Sequence, residues 1–450
     1  MTTINTYNLE LLLQKRIEAS TGPEELLPLF KVAQYLKNTN VVNVSTINDL
    51  PALTEGEGKL FFVASEGKLY FNYQNSQWVV LGETASPPIS TGGTLWVWGY
   101  NSDGQLGDGT TDNISSPLQI VTGSSDWAIV SAGGDFSAAI KTDGTMWTWG
   151  ANGYGQLGDG TIDYRSSPGT TIDGGTNWSK VGAGYGSLAG IKTDGTLWTW
   201  GRNNSGELGD GTLDARSSPG SVAGGGTNWD QVSVGAQFMG AVKTDGTLWT
   251  WGLNQSGQLG DGNTDPRSSP STVAGGGTNW KQVSAGDNFA AAVKTDGTLW
   301  TWGTNGYGRL GDGGVNPKSS PETTAGGGTD WSQVSCGDEQ AGAIKTDGTL
   351  WTWGLNDTGQ LGDGTTENRS SPATVAGGGT TWSYVSMANW PQAALKTDGT
   401  LWLWGEGGDG GIGNNSLDNQ SSPVTTAAGG TNWSQVSARA YHVLAIQVAG

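Results

Sequence analysis

From residue 94 onward, short apolar, β-prone runs alternate with glycine-rich polar segments. One such stretch reads Ala138-Ala139-Ile140-Lys141-Thr142, then Asp143-Gly144, then Thr145-Met146-Trp147-Thr148-Trp149. Two β-prone runs joined by Asp-Gly predict a hairpin with a type I′ turn, whose central residues both take positive φ. Gln-Leu-Gly-Asp-Gly, Ser-Ser-Pro and Gly-Gly-Gly-Thr segments punctuate the rest as turns. A further strand follows each isolated tryptophan, as in Trp127-Ala128-Ile129-Val130-Ser131. The first ninety residues follow other patterns. Leu9, Leu12, Leu13 and Ile17 share a helical face, and Thr21-Gly22-Pro23-Glu24 has the form of a capping box opening a second helix that ends near Asn38. Lys59 to Val63, Lys68 to Tyr73 and Gln77 to Leu81 read as three short strands.

The pattern is periodic. Leu-Trp-Thr-Trp-Gly or a close variant begins at Leu95, Met146, Leu197, Leu248, Leu299, Leu350 and Leu401, in steps of 51 residues. The isolated tryptophans, Trp127, Trp178, Trp229, Trp280, Trp331, Trp382 and Trp433, keep the same step. About four short strands in ~50 residues is the content of one propeller blade. Seven such units ending at Gly450 begin at Thr94, so the two strands of one Asp-Gly hairpin lie at opposite ends of the array. Pairing Thr94-Leu95-Trp96-Val97-Trp98 with Leu444-Ala445-Ile446-Gln447-Val448 closes the ring and removes both open sheet edges. The expected fold is all-β: a closed seven-bladed β-propeller over residues 92–450. It follows a helical attachment segment (1–40), a small β module (41–83) and a linker (84–91), the first two making a small α+β region.

Composition narrows the function. The chain has 77 glycines and 23 tryptophans, and the tryptophans separate it from a disordered glycine-rich polymer. A net charge of −19 repels phosphate backbones, and no basic run offsets it, so no nucleic-acid partner is expected. One cysteine, Cys336, excludes an intrachain disulfide, and no apolar run reaches the ~20 residues of a membrane span. The N-terminus lacks the pattern of a secretory signal.

The segment Trp149-Gly150-Ala151-Asn152-Gly153-Tyr154-Gly155-Gln156-Leu157-Gly158, followed in each unit by an apolar-x-Asp-Gly hairpin, resembles the regulator-of-chromosome-condensation repeat. The resemblance covers residues 92 to 450. It implies a propeller, and functions ranging from exchange factors to inhibitors and binding modules. The family places a histidine where this chain has Phe136, Ser187, Phe238, Phe289, Gln340 and Pro391, and only once His442. That loss, with the acidic charge, weighs against an exchange-factor role. Asp49-Leu50-Pro51, Gly58 to Val63, Leu69-Tyr70 and Gln77 to Leu81 resemble a small module of structural proteins from tailed bacteriophages. That resemblance implies N-terminal anchoring to a virion; a β-meander packed on the propeller is the other reading.

No catalytic constellation emerges, and no cofactor or metal is expected. Cys336 occupies a small apolar column and reads as a buried inert thiol. Gly153 to Gly158 and Gly306 to Gly311 match a dinucleotide-binding glycine pattern but lie at a repeated turn, with no strand before and helix after. The recurring aspartates Asp108, Asp159, Asp210, Asp261, Asp312 and Asp363 suit a calcium loop or, more economically, a turn in which the carboxylate bonds its own backbone. The repeated tryptophans read as packing between blades. Recognition is expected where the units differ, in loops that closure gathers at one end of the ring: Asp135, Phe136, Tyr185, Phe238, Asp287, Phe289, Glu339, Trp390, Tyr441 and His442.

The leading expectation is a non-enzymatic virion protein, assembled in a host cytoplasm. Residues 1–83 would attach it to other virion proteins as fibre or decoration, and the propeller would face a host-surface glycan or protein. The second expectation is a cellular or exported propeller that binds a partner protein. Either is compatible with a homo-oligomer.

Overall fold

A computed structural model describes residues 92–120 and 125–449, and before them four strands between residues 42 and 81. It divides into two compact units, Met1–Pro88 and Ile89–Gly450. In the first, β1 (Val42–Val44), β2 (Leu60–Val63), β3 (Lys68–Tyr73) and β4 (Gln77–Leu81) form one sheet in that order. β1 is parallel to β2 and the other pairs are antiparallel. The helices expected over residues 7 to 38, Asp49-Leu50-Pro51 and the linker 84–91 lie outside the described residues.

The second unit is a seven-bladed propeller, each blade an antiparallel four-stranded sheet. Blade 1 runs Trp127–Ala132, Phe136–Lys141, Met146–Gly150 and Arg165–Thr170, from the axis outward. Blades 2 to 6 repeat it, their first strands starting at Trp178, Trp229, Trp280, Trp331 and Trp382. Blade 7 is assembled from both ends of the array: Trp433–Arg439 and His442–Gln447, then Thr94–Gly99 and Ile114–Gln119. His442 pairs with Gly99 and the ladder runs through to Gln447 with Thr94, which is the closure expected from the sequence.

The Asp-Gly hairpins differ from the expected turn. Glycine alone takes positive φ there (78° at Gly144); Asp143 does not. The Gly144 amide donates to the Lys141 carbonyl, and Lys141 N donates to the Thr145 carbonyl at 3.0 Å. This is a three-residue connection in which a right-handed turn is followed by a left-handed glycine, the next most common hairpin after the two-residue type. Thr145 supplies the reason: its N–H and hydroxyl both donate to Asp143 Oδ1 (2.9 and 2.7 Å), holding the aspartate in the right-handed region.

Strand alternation sends each blade's apolar residues to two different neighbours. Leu95 and Val97 pack toward blade 1, while Trp96 and Trp98 pack toward blade 6. The described core accordingly divides into seven clusters, one at each junction between blades. The second tryptophan of every Leu-Trp-Thr-Trp-Gly strand is fully buried. Its indole N–H donates, at 2.8–3.0 Å, to a backbone carbonyl in the preceding blade: Trp98 to Gly411, Trp149 to Gln105, and so on round the ring. The glycine two residues beyond that carbonyl is required by contact as well as by conformation. Gly158 has φ 66°, and a Cβ there would stand 2.5 Å from Trp200 Nε1.

A second belt surrounds the axis. Ser131, Ser233, Ser284, Ser335, Ser386 and Ser437 each accept the N–H of a first-strand residue in the next blade at 2.8–3.0 Å. The belt is interrupted at Gly182. There Val234 fills a column that elsewhere holds Ala, Cys or Met, and a Cβ on Gly182 would meet its Cγ2 at 3.3 Å. Ser335→Ala is expected to leave the buried Met387 amide without its partner and to lower stability by about 1–3 kcal/mol. The measurement is the urea midpoint; an unshifted midpoint would remove the serine belt from the forces that hold the ring.

Candidate recognition face

In an up-and-down blade, the loops between first and second strands and between third and fourth strands emerge on the same face. The Asp-Gly hairpins and the returns between blades lie on the other. The hairpin face is nearly uniform: in six blades Lys141, Lys192, Lys243, Lys294, Lys345 and Lys396 each stand 4.1–5.0 Å from the centroids of two indoles, and in blade 7 Gln447 takes the position. The loop face is where the blades differ.

There the structure sorts the candidate residues by depth. Phe136, Phe238 and Phe289 are buried, because each opens a second strand and lays its ring over a glycine of the same loop. A Cβ on Gly133, Gly235 or Gly286 would lie 2.4–2.8 Å from those rings. They support the loop and offer no surface. His442, in the same column, is also fully buried. Its Nε2 lies 3.0 Å from Ser137 Oγ, which donates to the Gln105 carbonyl. Burial pulls its pKa down to about 3, so the ring is neutral across the physiological range. Asp135 stays half-buried at the surface, its pKa raised by desolvation and then by Asp103.

Asp338 and Arg439 line the mouth of the axial channel, a cavity of about 180 Å³ walled by the first strands, and Tyr185, Asp287 and Glu339 lie around these two residues and Arg309. Two arginines not singled out from sequence organise them. Arg439 Nη1 donates to the carbonyls of Val234 (2.7 Å) and Ala183 (3.3 Å), and its guanidinium stands 5.2 Å from the Tyr185 ring centroid. The Tyr185 hydroxyl donates to Asp338 from the far side of the channel, which joins blades 2 and 5 across the axis. Arg309 is buried and reaches the Asp338 carbonyl and Glu339 Oε1, each at 3.2 Å, while packing against Tyr307 and Phe289. Both arginines break their columns: the others at position 439 are Gly133, Gly184, Gly235, Gly286, Gly337 and Ala388, and those at 309 are mostly glutamine. Column departure was the signal that could have found them.

Trp390 and Tyr441 form a separate group between blades 6 and 7. Their rings stack at 5.6 Å and 26°, and Tyr100 packs on Tyr441 at 5.8 Å. The turn aspartates act locally: Asp159 accepts the Thr161 N–H and hydroxyl and sits 3.6 Å from Arg165. The Cys336 thiol is buried and its pKa is pushed up to about 12 by desolvation.

A closed ring of seven blades built on a 51-residue repeat, with a nearly constant hairpin face and a varied loop face, defines a tandem-repeat β-propeller. The chain belongs to the RCC1-like family: residues 175–450 match the RCC1-like domain, and 92–140 and 143–189 match the regulator of chromosome condensation repeat. It is 33% identical over 325 residues to the ultraviolet-B receptor UVR8 of Arabidopsis thaliana, covering 70% of this chain and 72% of the receptor. It is 30% identical over 306 residues to the E3 ubiquitin-protein ligase HERC2 of Homo sapiens, covering 66% of this chain but 6% of the ligase. Prp20p of Saccharomyces cerevisiae has the same fold, with a TM-score of 0.72 at 19% identity over 80% of this chain and 93% of that one.

The channel mouth has a pH signature. Desolvation pushes the Asp338 pKa up to about 6, against the lowering effects of Arg439 and of the Tyr185 hydroxyl. Between 3.8 and about 6 the folded protein therefore holds a proton that the unfolded chain has released. Stability from this group is fullest below 3.8 and is lost as pH rises through about 6. Asp338→Asn is expected to gain roughly 1–3 kcal/mol on the wild type across that window. Urea unfolding of both proteins on each side of it is the measurement, and a constant difference between them would show that Asp338 titrates normally.

Proposed function

We propose that this chain is a protein-binding propeller that docks a partner protein on its loop face. The observation that carries the reading is the contrast between the two faces. The lysine–tryptophan pairs of the hairpin face repeat in six of the seven blades, whereas Tyr185, Glu339, Trp390, Tyr441 and Arg439 are each peculiar to their own blade and lie on the other face. A repeat that holds its frame constant and varies one face has the economy of a recognition surface. Aromatic and arginine side chains among carboxylates are also the composition of interface centres.

The relatives support this reading. Prp20p is described with its binding to Gsp1p and histones, and UVR8 and HERC2 are cellular proteins. They favour the second expectation from the sequence, a partner-binding propeller, over the virion reading. The virion partners and host-surface glycan of that first reading have no counterpart among these relatives.

The test is capture of a partner by the full chain from the cells that make it, with the contact mapped by cross-linking. The combined variant Glu339→Lys and Trp390→Ala is expected to weaken capture by tenfold or more, a loss on the order of that produced by truncating interface hot spots. Asp245→Asn on the hairpin face is expected to leave capture unchanged. Cross-links confined to the hairpin face, or capture indifferent to the loop-face variant, would overturn the proposal.

A further inference from the structure

The loop face carries a recess between blades 6 and 7, walled by Trp390, Pro391 and Tyr441, with Glu406 and Asp409 at its edge and Gly411 at its floor. Trp390, Tyr441 and Glu406 come from columns that vary from blade to blade, and Gly411 departs from a column that is otherwise polar. Gly411 stands where the other blades have Gln105, Gln156, Glu207, Gln258, Arg309 and Gln360, side chains that are buried beneath the loops. Pro391 takes up much of that space, a Cβ on Gly411 meeting its Cγ at 3.0 Å, and a shallow cavity of about 10 Å³ remains beside Trp390 and Tyr441. Gly407 replaces an asparagine whose Oδ1, in six other blades, accepts the N–H of the loop leucine. Glu406 replaces Tyr100, Ala151, Arg202, Leu253, Thr304 and Leu355. The floor has thus lost side chains that the other blades keep, while the walls come from columns that vary throughout.

Its chemistry is one-sided. Two stacked rings present π-electron density, and the carboxylates beside them lack a cation. The Glu406 pKa is raised by desolvation, then by Asp409 and Asp357, with no lysine or arginine acting on it. Among the described residues neither Glu406 nor Asp409 has an ion-pair partner; Asp409 accepts only the Asn113 amide at 3.2 Å. Glu339, on the same face, is by contrast matched with Arg309. A guanidinium or ammonium group placed here would meet aromatic faces and relieve the mutual repulsion of the carboxylates in one step.

We propose that the recess formed by Trp390, Tyr441, Glu406 and Asp409 receives an arginine or lysine side chain of the docked partner protein. The inference rests on the reading of the loop face as the docking surface and adds the chemistry of what it recognises.

The test selects binders to the full-length chain from a displayed library of short random peptides, then measures their affinities by fluorescence anisotropy. The selected peptides are expected to share a basic residue at one position. Replacing that residue by glutamine is expected to weaken binding by about tenfold or more, as for a cation removed from an aromatic and charged site. Trp390→Ala and the double variant Glu406→Gln with Asp409→Asn are expected to do the same, with near-ultraviolet circular dichroism confirming that each remains folded. Peptides that share no basic position, or that bind the recess variants as well as the wild type, overturn the inference. If such peptides are weakened instead by Asp287→Asn and Glu339→Gln, the loop face stands as the docking surface and only the recess falls. If they respond to neither set, both fall. A library that yields no binder also overturns the recess as an independent anchor for a basic side chain.

Discussion

The propeller depends on an indole N–H that must find a backbone carbonyl in the preceding blade. Seven sheets arranged round an axis have no covalent connection that fixes their spacing except the returns between them, and apolar packing alone is non-directional. The second tryptophan of each Leu-Trp-Thr-Trp-Gly strand supplies direction. It fills the junction with a large buried ring, and its one donor locks onto the carbonyl of the preceding blade's loop. Because a buried indole without a partner is costly, the bond also enforces the position of the accepting loop. The glycine two residues on, with positive φ and almost no room for a Cβ, is the local conformation this contact demands.

This acceptor is main chain, which explains how a frame so constant tolerates a face so varied. The residue that lends its carbonyl can carry glutamine, glutamate, arginine or no side chain at all, since the bond never uses the side chain. Two of those side chains bond the first-to-second-strand loop of the next blade, whereas Gln105, Gln156, Glu207 and Gln360 accept an N–H of their own loop. Gln258 donates to Asn288 and Arg309 to Glu339, so the varied columns change in concert, thirty residues apart in sequence and adjacent in space. The serine belt shows the same accommodation at the axis, where Gly182 and the larger Val234 replace a serine and a small residue together.

The repeat, the blade count and the closing hairpin were legible in the sequence because each depends on spacing, and spacing survives folding unchanged. The candidate surface was legible only in part, because sequence shows which columns vary and does not show depth. Phe136, Phe238, Phe289 and His442 vary with their neighbours, yet they start second strands and turn into the junction, one residue beyond the loop that faces outward. Arg439 escaped notice for the opposite reason. Its column is otherwise glycine or alanine, which reads as a turn requirement, although its guanidinium reaches the carbonyls of Ala183 and Val234 across the channel. The turn type was misjudged because Asp-Gly fits two hairpins, and the threonine that follows decides between them.

Blade 6 shows how far the frame can be relaxed. Its third-to-fourth-strand loop has lost the asparagine that pins the loop in the other blades, the glutamine that fills the junction, and the strand threonine whose hydroxyl binds the loop carbonyl in blades 1 to 5. It keeps the carbonyl of Gly411, which accepts Trp98 at 2.8 Å, and the positive φ of Gly413 beneath that ring. What survives is what closure needs, for Trp98 lies on the strand that returns from the start of the array to complete blade 7. What was lost is what only stiffened the loop. The junction between blades 6 and 7 therefore lacks side-chain scaffolding that the other loops keep, and it is there that Trp390 and Tyr441 stack beside unmatched carboxylates.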